Sequence, residues 1–389
     1  MVLIANRPIL SDDRAMKSDF SEEEVERYSR QISLKEIGLK GQLKLKKARI
    51  CIVGMGGLGT ASAVKLAAMG IGYIRLVDRD VIGLSDLHRQ LLYDSVSIGL
   101  PKVEVAAEKL ALLNPNIQLD PLPAAINSGT VEKIVFGVDA VVDGLDSIET
   151  RYLVNRACHK LEVPYFYGGA IENVGNASTI IPGKSACLEC YFPGLTDDLL
   201  PKCALVGVNP SILGIITSVQ VSEVVRWLTG EKPMLLNTQF IFDIKDLTLD
   251  KVELSKNEKC SVCGSGPPPK VIEEKILEEQ CSRQGDRTFT IVPREMITLD
   301  IKKLSSYVKT KGFKIEAEGT LGITFQQNKR MKISILRSGV AIFQVSTPRK
   351  KVDLTQEITQ LHRSILVEAL NLPNGLFEDA YNNKKPKEA

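Results

Sequence analysis

The sequence predicts an α/β chain: a doubly wound, mostly parallel sheet of Rossmann-like type, followed by a small α+β domain. Three observations carry this reading. An apolar strand run, Arg49–Val53, leads directly into Gly54-Met55-Gly56-Gly57-Leu58-Gly59 and a helical stretch over 60–69. Strand-like and helix-like segments then alternate, as parallel crossovers require. Beyond the stiff segment Gly264-Ser265-Gly266-Pro267-Pro268-Pro269 the pattern switches to the period of two expected of antiparallel strands.

In chain order, Ser21 is placed to cap a helix that opens on Glu22, Glu23 and Glu24 and runs to about Gly38. The strand Arg49–Val53, the glycine loop and its helix are followed by a second strand over 74–77, ending at Asp78. Helices over 102–113 and 129–135, a strand over 140–143, a helix over 148–161, a strand over 165–168, a long helix over 210–228 and strands over 240–252 complete the first region. Past the linker come a helix over 299–308, strands over 322–326, 331–336 and 340–345, and a closing helix over 354–370. Turns are expected at Asn328-Lys329 and Ser338-Gly339. The expected division is a flexible N-terminus (1–20), a nucleotide-binding domain (21–264), a linker (265–285), a small α+β domain (286–375) and a flexible tail (376–389).

With 389 residues and 44% hydrophobic content the chain can bury a sizeable core, which excludes a disordered or collagen-like protein. Fifty Lys and Arg against 47 Asp and Glu leave a net charge of +3, so no nucleic-acid partner is expected. Residues 1–20 lack the apolar core of a signal peptide, and Gln220 and Glu223 interrupt the most apolar helical stretch, 211–227. A cytoplasmic location without a membrane partner is therefore expected. In that setting eight Cys point to metal ligation or catalysis rather than disulfides.

Gly54, Gly56 and Gly59 form a G-x-G-x-x-G loop in its proper strand–turn–helix context. There the backbone approaches a phosphate and the helix N-terminus supplies N–H groups. Asp78 at the end of the next strand is placed for ribose hydroxyls. These residues leave NAD, FAD and ATP open. Arg89 and Lys102 favour a triphosphate, because two cations neutralise the charge that develops as pyrophosphate leaves. Asp143 and Asp146 lie at the carboxyl edge of the sheet, where a carboxylate can hold Mg²⁺ between phosphates.

Taken together, Arg27-Tyr28-Ser29-Arg30-Gln31, the glycine loop, Asp78-x-Asp80, Ser85-x-Leu87-x-Arg89-Gln90, Gly99-x-Pro101-Lys102, Asp146 and Arg151 resemble the ubiquitin-activating enzyme superfamily over roughly residues 22–264. The resemblance is strongest to its homodimeric members, the sulfur-carrier adenylyltransferases of molybdopterin and thiazole synthesis and the minimal eukaryotic activating enzymes. It implies that MgATP adenylates the C-terminal glycine of a ubiquitin-like β-grasp protein ending in Gly-Gly. It further implies that Gly57, Asp78, Arg89 and Lys102 contact ATP, that Asp146 holds Mg²⁺, and that Arg30 reaches the partner subunit's phosphates. Gly54, Gly56, Gly59, Asp80, Ser85, Asp86, Gln90 and Ser147 complete the implied cofactor-contacting set. Asp86 and Ser147 stand where the family commonly has Asn, and Asp86 brings a negative charge close to the triphosphate.

Cys187-x-x-Cys190 and Cys260-x-x-Cys263 are paired knuckles, the pattern of a closed structural Zn²⁺ site, and the resembled family shares them. Of the other thiols, Cys51 lies within the first strand. Cys158 and His159 are adjacent on a helix and diverge by about 100°. Cys203 sits in an acidic loop (about 191–209) beside Lys202, the surroundings of an accessible thiol with a depressed pKa. Its position resembles the family's crossover-loop Cys, which implies that it accepts the activated carrier as a thioester. The expected function is carrier adenylation followed by a thioester on Cys203 and transfer to a conjugating enzyme, which the C-terminal domain would recruit. Sulfur transfer, for molybdopterin, thiamine or tRNA thiolation, is the alternative second step. A catalytically silent subunit fits poorly with Arg30, Arg89, Lys102 and Asp146 in one chain. A nicotinamide oxidoreductase leaves the cations and the knuckles unexplained.

Overall fold

The computed structural model describes residues 19–200, 206–281, 286–346, 353–370, 372–377 and 380. Its larger sheet follows from the alternation in the sequence. Strands β1 (Arg49–Val53), β2 (Tyr73–Val77), β3 (Gln118–Leu122), β4 (Ala140–Asp143), β5 (Tyr165–Ile171), β6 (Val174–Ile180), β7 (Thr238–Asp243) and β8 (Thr248–Glu253) are ordered β3-β2-β1-β4-β5-β6-β7-β8. The first five strands pair in parallel, and β6, β7 and β8 are antiparallel additions. Continuous apolar runs such as Ile50–Val53 suit strands covered by helices on both faces. The strand order reverses between β1 and β4, which opens a crevice at their carboxyl ends.

Ser21 caps its helix as expected. Its side chain accepts from the Glu24 N–H, and the Glu24 carboxylate returns the bond to the Ser21 N–H. The expected helix to Gly38 is broken at Tyr28 into Glu22–Arg27 and Ser29–Ile32. The Tyr28 ring is buried, and Asn114 donates a hydrogen bond to its hydroxyl.

The helix Pro210–Thr229 is long and apolar enough, by length and composition, to cross a membrane. Its buried polar residues bind it to the sheet instead. Gln220 Nε2 donates to the carbonyls of Asp143 (2.9 Å) and Phe166 (2.7 Å). The Glu223 carboxylate accepts from Thr179, Met234 and Leu235. Left unpaired, each of these groups would cost on the order of 1–3 kcal/mol, so the satisfied set fixes this helix as a core element.

The smaller sheet contains β9 (Leu277–Cys281), β10 (Arg287–Ile291), β11 (Lys314–Glu318), β12 (Gly322–Asn328), β13 (Met331–Leu336) and β14 (Ala341–Val345), ordered β11-β12-β13-β14-β10-β9 and antiparallel throughout. Strand β9 falls within the segment read as linker. One face, with Phe289, Ile291, Phe325, Ile333 and Phe343, forms a core with the helices Ile301–Thr310 and Thr355–His362. The closing helix continues as a π-helical stretch, Arg363–Ala369.

This domain is docked on the first rather than tethered to it. The buried Glu104 carboxylate accepts from the Thr320 N–H (2.5 Å), the Thr320 hydroxyl (2.7 Å) and the Leu321 N–H (3.1 Å). Leu321 enters the core of the larger domain, and Ile342 packs in a shared cluster with Ala125, Val292, Leu336, Val340 and Val81.

Candidate active site

The crevice between β1 and β4 holds a cavity of about 610 Å³. The glycine loop forms one edge for steric reasons. Gly54 has a φ of +88°, and its N–H bonds the Val77 carbonyl at 2.8 Å. A Cβ at Gly59 would collide with the Gly54 carbonyl, so only glycine lets the following helix approach its strand this closely. No side chain among the described residues caps the helix Gly57–Ala68, leaving its first N–H groups available to an anion.

Asp78 lines the cavity and also holds the loop in place. Its carboxylate accepts from the Met55 N–H (2.6 Å) and the Asp80 N–H (2.7 Å). Burial raises its pKa to about 6, with Lys102 opposing the rise and Asp80 adding to it. Lys102 Nζ lies 3.3 Å from Asp80 and 3.8 Å from Asp86, and its side chain is only 7% exposed. Burial alone would depress this ammonium, but Asp80, Asp78 and Asp86 hold its pKa above the usual value. Lys102 is therefore a fixed positive charge on the cavity wall.

Arg89 donates to the Ser85 carbonyl (2.6 Å) and to Asp86 (3.2 Å). Asp86 also accepts from the Gly83 N–H and from Gln90 Nε2. Asp86 is thus a hub that contacts Arg89, Gln90 and Lys102 at once. Gln90 Oε1 is buried with no hydrogen-bond partner among the described residues.

Across the cavity Asp146 is exposed, and Ser147 caps the helix Ile148–Lys160 by accepting from the Thr150 N–H. Asp197 accepts from the Ser147 hydroxyl and the Ile148 N–H, both at 2.7 Å, so the loop after β6 is fastened to that helix terminus. Leu200 and Val208 also line the cavity. Cys203, between them in the chain, lies outside the described residues. Arg30 is exposed on Ser29–Ile32 and is not part of this cavity wall. Every other expected cofactor-contacting residue lines the cavity except Gly59, whose part is the close packing behind it.

Arg151, one of the residues that carry the resemblance but not assigned a role by it, is buried, pairs with Asp143 at 2.9 Å and donates to the carbonyls of Leu145 and Gly168, locking the β4 end of the cavity. The sequence reading missed several other groups. Arg79, Ala124, Ala125 and Ile126 line the β2–β3 end, together with Thr288, Thr290, Ile342 and Gln344 of the small domain. The available signal was the alternation Thr288-x-Thr290, which sends two hydroxyls to the face opposite Phe289 and Ile291.

The two knuckles meet beneath the sheet. The sulfurs of Cys187, Cys190, Cys260 and Cys263 lie within 4.8 Å of one another, with Cys190–Cys263 at 3.4 Å, Cys187–Cys260 at 3.6 Å and Cys187–Cys190 at 4.0 Å. A tetrahedral ion with bonds of about 2.3 Å requires sulfurs roughly 3.8 Å apart, so the donor set fits a metal. The N–H groups of Asn257 and Val262 point at Cys190 and Cys260, as backbone amides do toward thiolate ligands. Burial followed by neighbouring sulfur charge pushes the Cys187 thiol far up, a repulsion that a bound cation removes. Cys51 and Cys158 are both buried, and burial raises Cys51 to about 12, so neither is an accessible nucleophile.

Comparison with known proteins agrees with this arrangement. The ThiF family matches residues 28–262. The SAMP-activating enzyme E1 of Haloferax volcanii is 35% identical over 244 residues, 62% of this chain and 90% of that protein. The sulfur carrier protein adenylyltransferase of Thermus thermophilus is 33% identical over 254 residues, 64% of this chain and 94% of that protein. The adenylyltransferase and sulfurtransferase MOCS3 of Aedes aegypti is 35% identical over 71% of this chain, which spans 64% of that protein. The structure of E. coli MccB with ATP aligns at a TM-score of 0.55 and 25% identity, covering 66% of this chain and 83% of that one. With the family matched across well over half of its length, the chain belongs to the ThiF family.

Proposed function

We propose that the protein is an enzyme that uses ATP to adenylate the C-terminal glycine of a ubiquitin-like or sulfur-carrier β-grasp protein. One observation carries the reading: a single cavity joins the glycine loop and an uncapped helix terminus to the buried Lys102, Arg89 and Asp146. Family membership and the names of the relatives support it. The carrier carboxylate attacks the α-phosphorus, an acyl-adenylate forms, and the α–β phosphoanhydride bond breaks to release pyrophosphate. Lys102 and Arg89 stabilise the charge that grows on the leaving group, and Asp78 anchors the ribose. Asp146 would hold Mg²⁺, which screens the phosphates when bound. Zn²⁺ in the Cys₄ site would cross-link the two knuckles without a catalytic role.

The second step forms a thioester on Cys203: its thiolate attacks the acyl carbon and AMP departs. Leu200 and Val208, which flank this segment, both line the cavity, and that supports delivery of the thiol to the adenylate. Arg30 would serve the site of a second copy in a homodimer, in keeping with its separation from its own cavity. Incubating the protein with MgATP and a Gly-Gly-ending β-grasp protein, then measuring intact mass, tests this. A thiol-labile adduct lost in Cys203→Ala is expected. An adduct that persists in that variant removes Cys203, and an adenylate handed to a persulfide instead selects sulfur transfer.

A further inference from the structure

The small domain presents two different faces. Phe289, Ile291, Phe343 and Val345 point into its own core, while Thr288, Thr290, Ile342 and Gln344 alternate with them on the opposite face. Thr288 is paired with Gln344 and Thr290 with Ile342 across β10 and β14, so the four form one contiguous patch. All four line the same cavity as Asp78 and Lys102. The hydroxyls of Thr288 and Thr290 and the Gln344 amide have no hydrogen-bond partner among the described residues, leaving their donors and acceptors for a ligand.

The patch is held in place by bonds on both sides of it. Glu278, opposite Thr290 on β9, pairs with Arg79 through both guanidinium nitrogens at 2.7 and 3.2 Å. The Thr324 hydroxyl donates to the Gly99 carbonyl at 2.6 Å, and Asn127 Nδ2 donates to the Pro293 carbonyl at 3.1 Å. Arg79 directly follows Asp78, and Ala125 shares a cluster with Ile342. The patch therefore sits at the Asp78–Ala125 end of the cavity.

We propose that the appended domain is a wall of the nucleotide site, with Thr288, Thr290 and Gln344 contacting the nucleoside end of ATP. The inference rests on ATP occupying this cavity as the adenylation reading requires. The domain thereby makes nucleotide affinity depend on its docking.

The test uses the full-length protein. Thr288→Val, Thr290→Val and Gln344→Ala are compared with Thr290→Ser, which keeps a hydroxyl, and melting temperatures verify folding. Each valine or alanine variant is expected to weaken ATP binding and raise KM for ATP by about fivefold to tenfold, the scale of one lost hydrogen bond. The kcat of carrier-dependent pyrophosphate exchange and KM for the carrier should hold, and Thr290→Ser should restore wild-type behaviour. Unchanged ATP affinity in all three folded variants overturns the proposal, as does a rise confined to KM for the carrier. If the wild-type protein itself fails to bind ATP, the adenylation reading falls. That outcome is distinct from variants that match a competent wild type.

Discussion

The two sheets of this protein use their geometry in opposite ways. The central parallel strands β1, β2 and β4 of the larger sheet are buried on both faces and present their polar groups at the carboxyl edge, where Gly54, Asp78, Gly144 and Asp146 emerge. The smaller antiparallel sheet buries one face in its own core and turns the other, polar face toward that edge. An edge concentrates backbone N–H groups and charges against phosphate. A face supplies a regular array of alternate side chains. The cavity is bounded by both.

The comparison breaks most severely at Lys102, the buried charge on the edge side. Lys102→Ala should reduce carrier-dependent pyrophosphate exchange by about 10²–10³-fold, measured at saturating ATP. Much of that loss comes from the uncompensated acids Asp80 and Asp86 that remain. Next in size is the Cys₄ cluster, which among the described residues is found only in the larger domain. Cys187→Ser should abolish stoichiometric metal binding, assayed by elemental analysis. It should also lower unfolding free energy by about 2–5 kcal/mol, the scale of losing a cross-link, here one spanning 73 residues.

The seam between the domains follows. Glu104→Ala orphans the N–H groups of Thr320 and Leu321 and should cost about 2–4 kcal/mol in denaturant unfolding. A surface variant such as Glu316→Ala should be nearly neutral.

A further effect is in pH, and it has opposite signs in the two domains. His362 is buried between Phe343 and Phe377, and burial lowers its pKa to about 3 from 6.5. The unfolded chain takes up the proton first, so the small domain loses stability as pH falls from 6.5 toward 3. Asp78 is raised to about 6 from 3.8, so the protonated form is favoured in the fold. Its contribution is fully present below 3.8 and is lost as pH rises through 6. Melting curves should therefore lose their acid destabilisation in His362→Leu. Asp78→Asn should remove the opposing trend between pH 4 and 6.

The same contrast explains what the sequence disclosed. The edge site was legible because its signals are local: an apolar run, three glycines at fixed spacing, and an acid at the next strand end. The knuckles were legible because paired C-x-x-C motifs have few other uses. Strand β3, Gln118-Leu119-Asp120-Pro121-Leu122, was missed because it is a half-exposed edge strand containing proline. Strand β6 was missed because Gly175, Asn176, Ala177, Ser178 and Thr179 lack the bulk that marks a strand. The domain seam was the least legible part. Arg79 and Glu278 are 199 residues apart, and Thr288, Thr290 and Gln344 are indistinguishable in sequence from the solvated side of any strand. Asp86 reads in sequence as a negative charge near phosphate, and its meaning changes once its hydrogen bonds to Gly83, Arg89 and Gln90 and its ion pair with Lys102 are in place.

The most direct test of the account is exchange of labelled pyrophosphate into ATP by the wild-type protein, with a panel of Gly-Gly-ending β-grasp proteins and their terminal-glycine deletions. The account predicts exchange that requires one intact carrier, vanishes with its deletion form and collapses in Lys102→Ala. Exchange that proceeds at full rate without any carrier, or that is unaffected by Lys102→Ala, would contradict it.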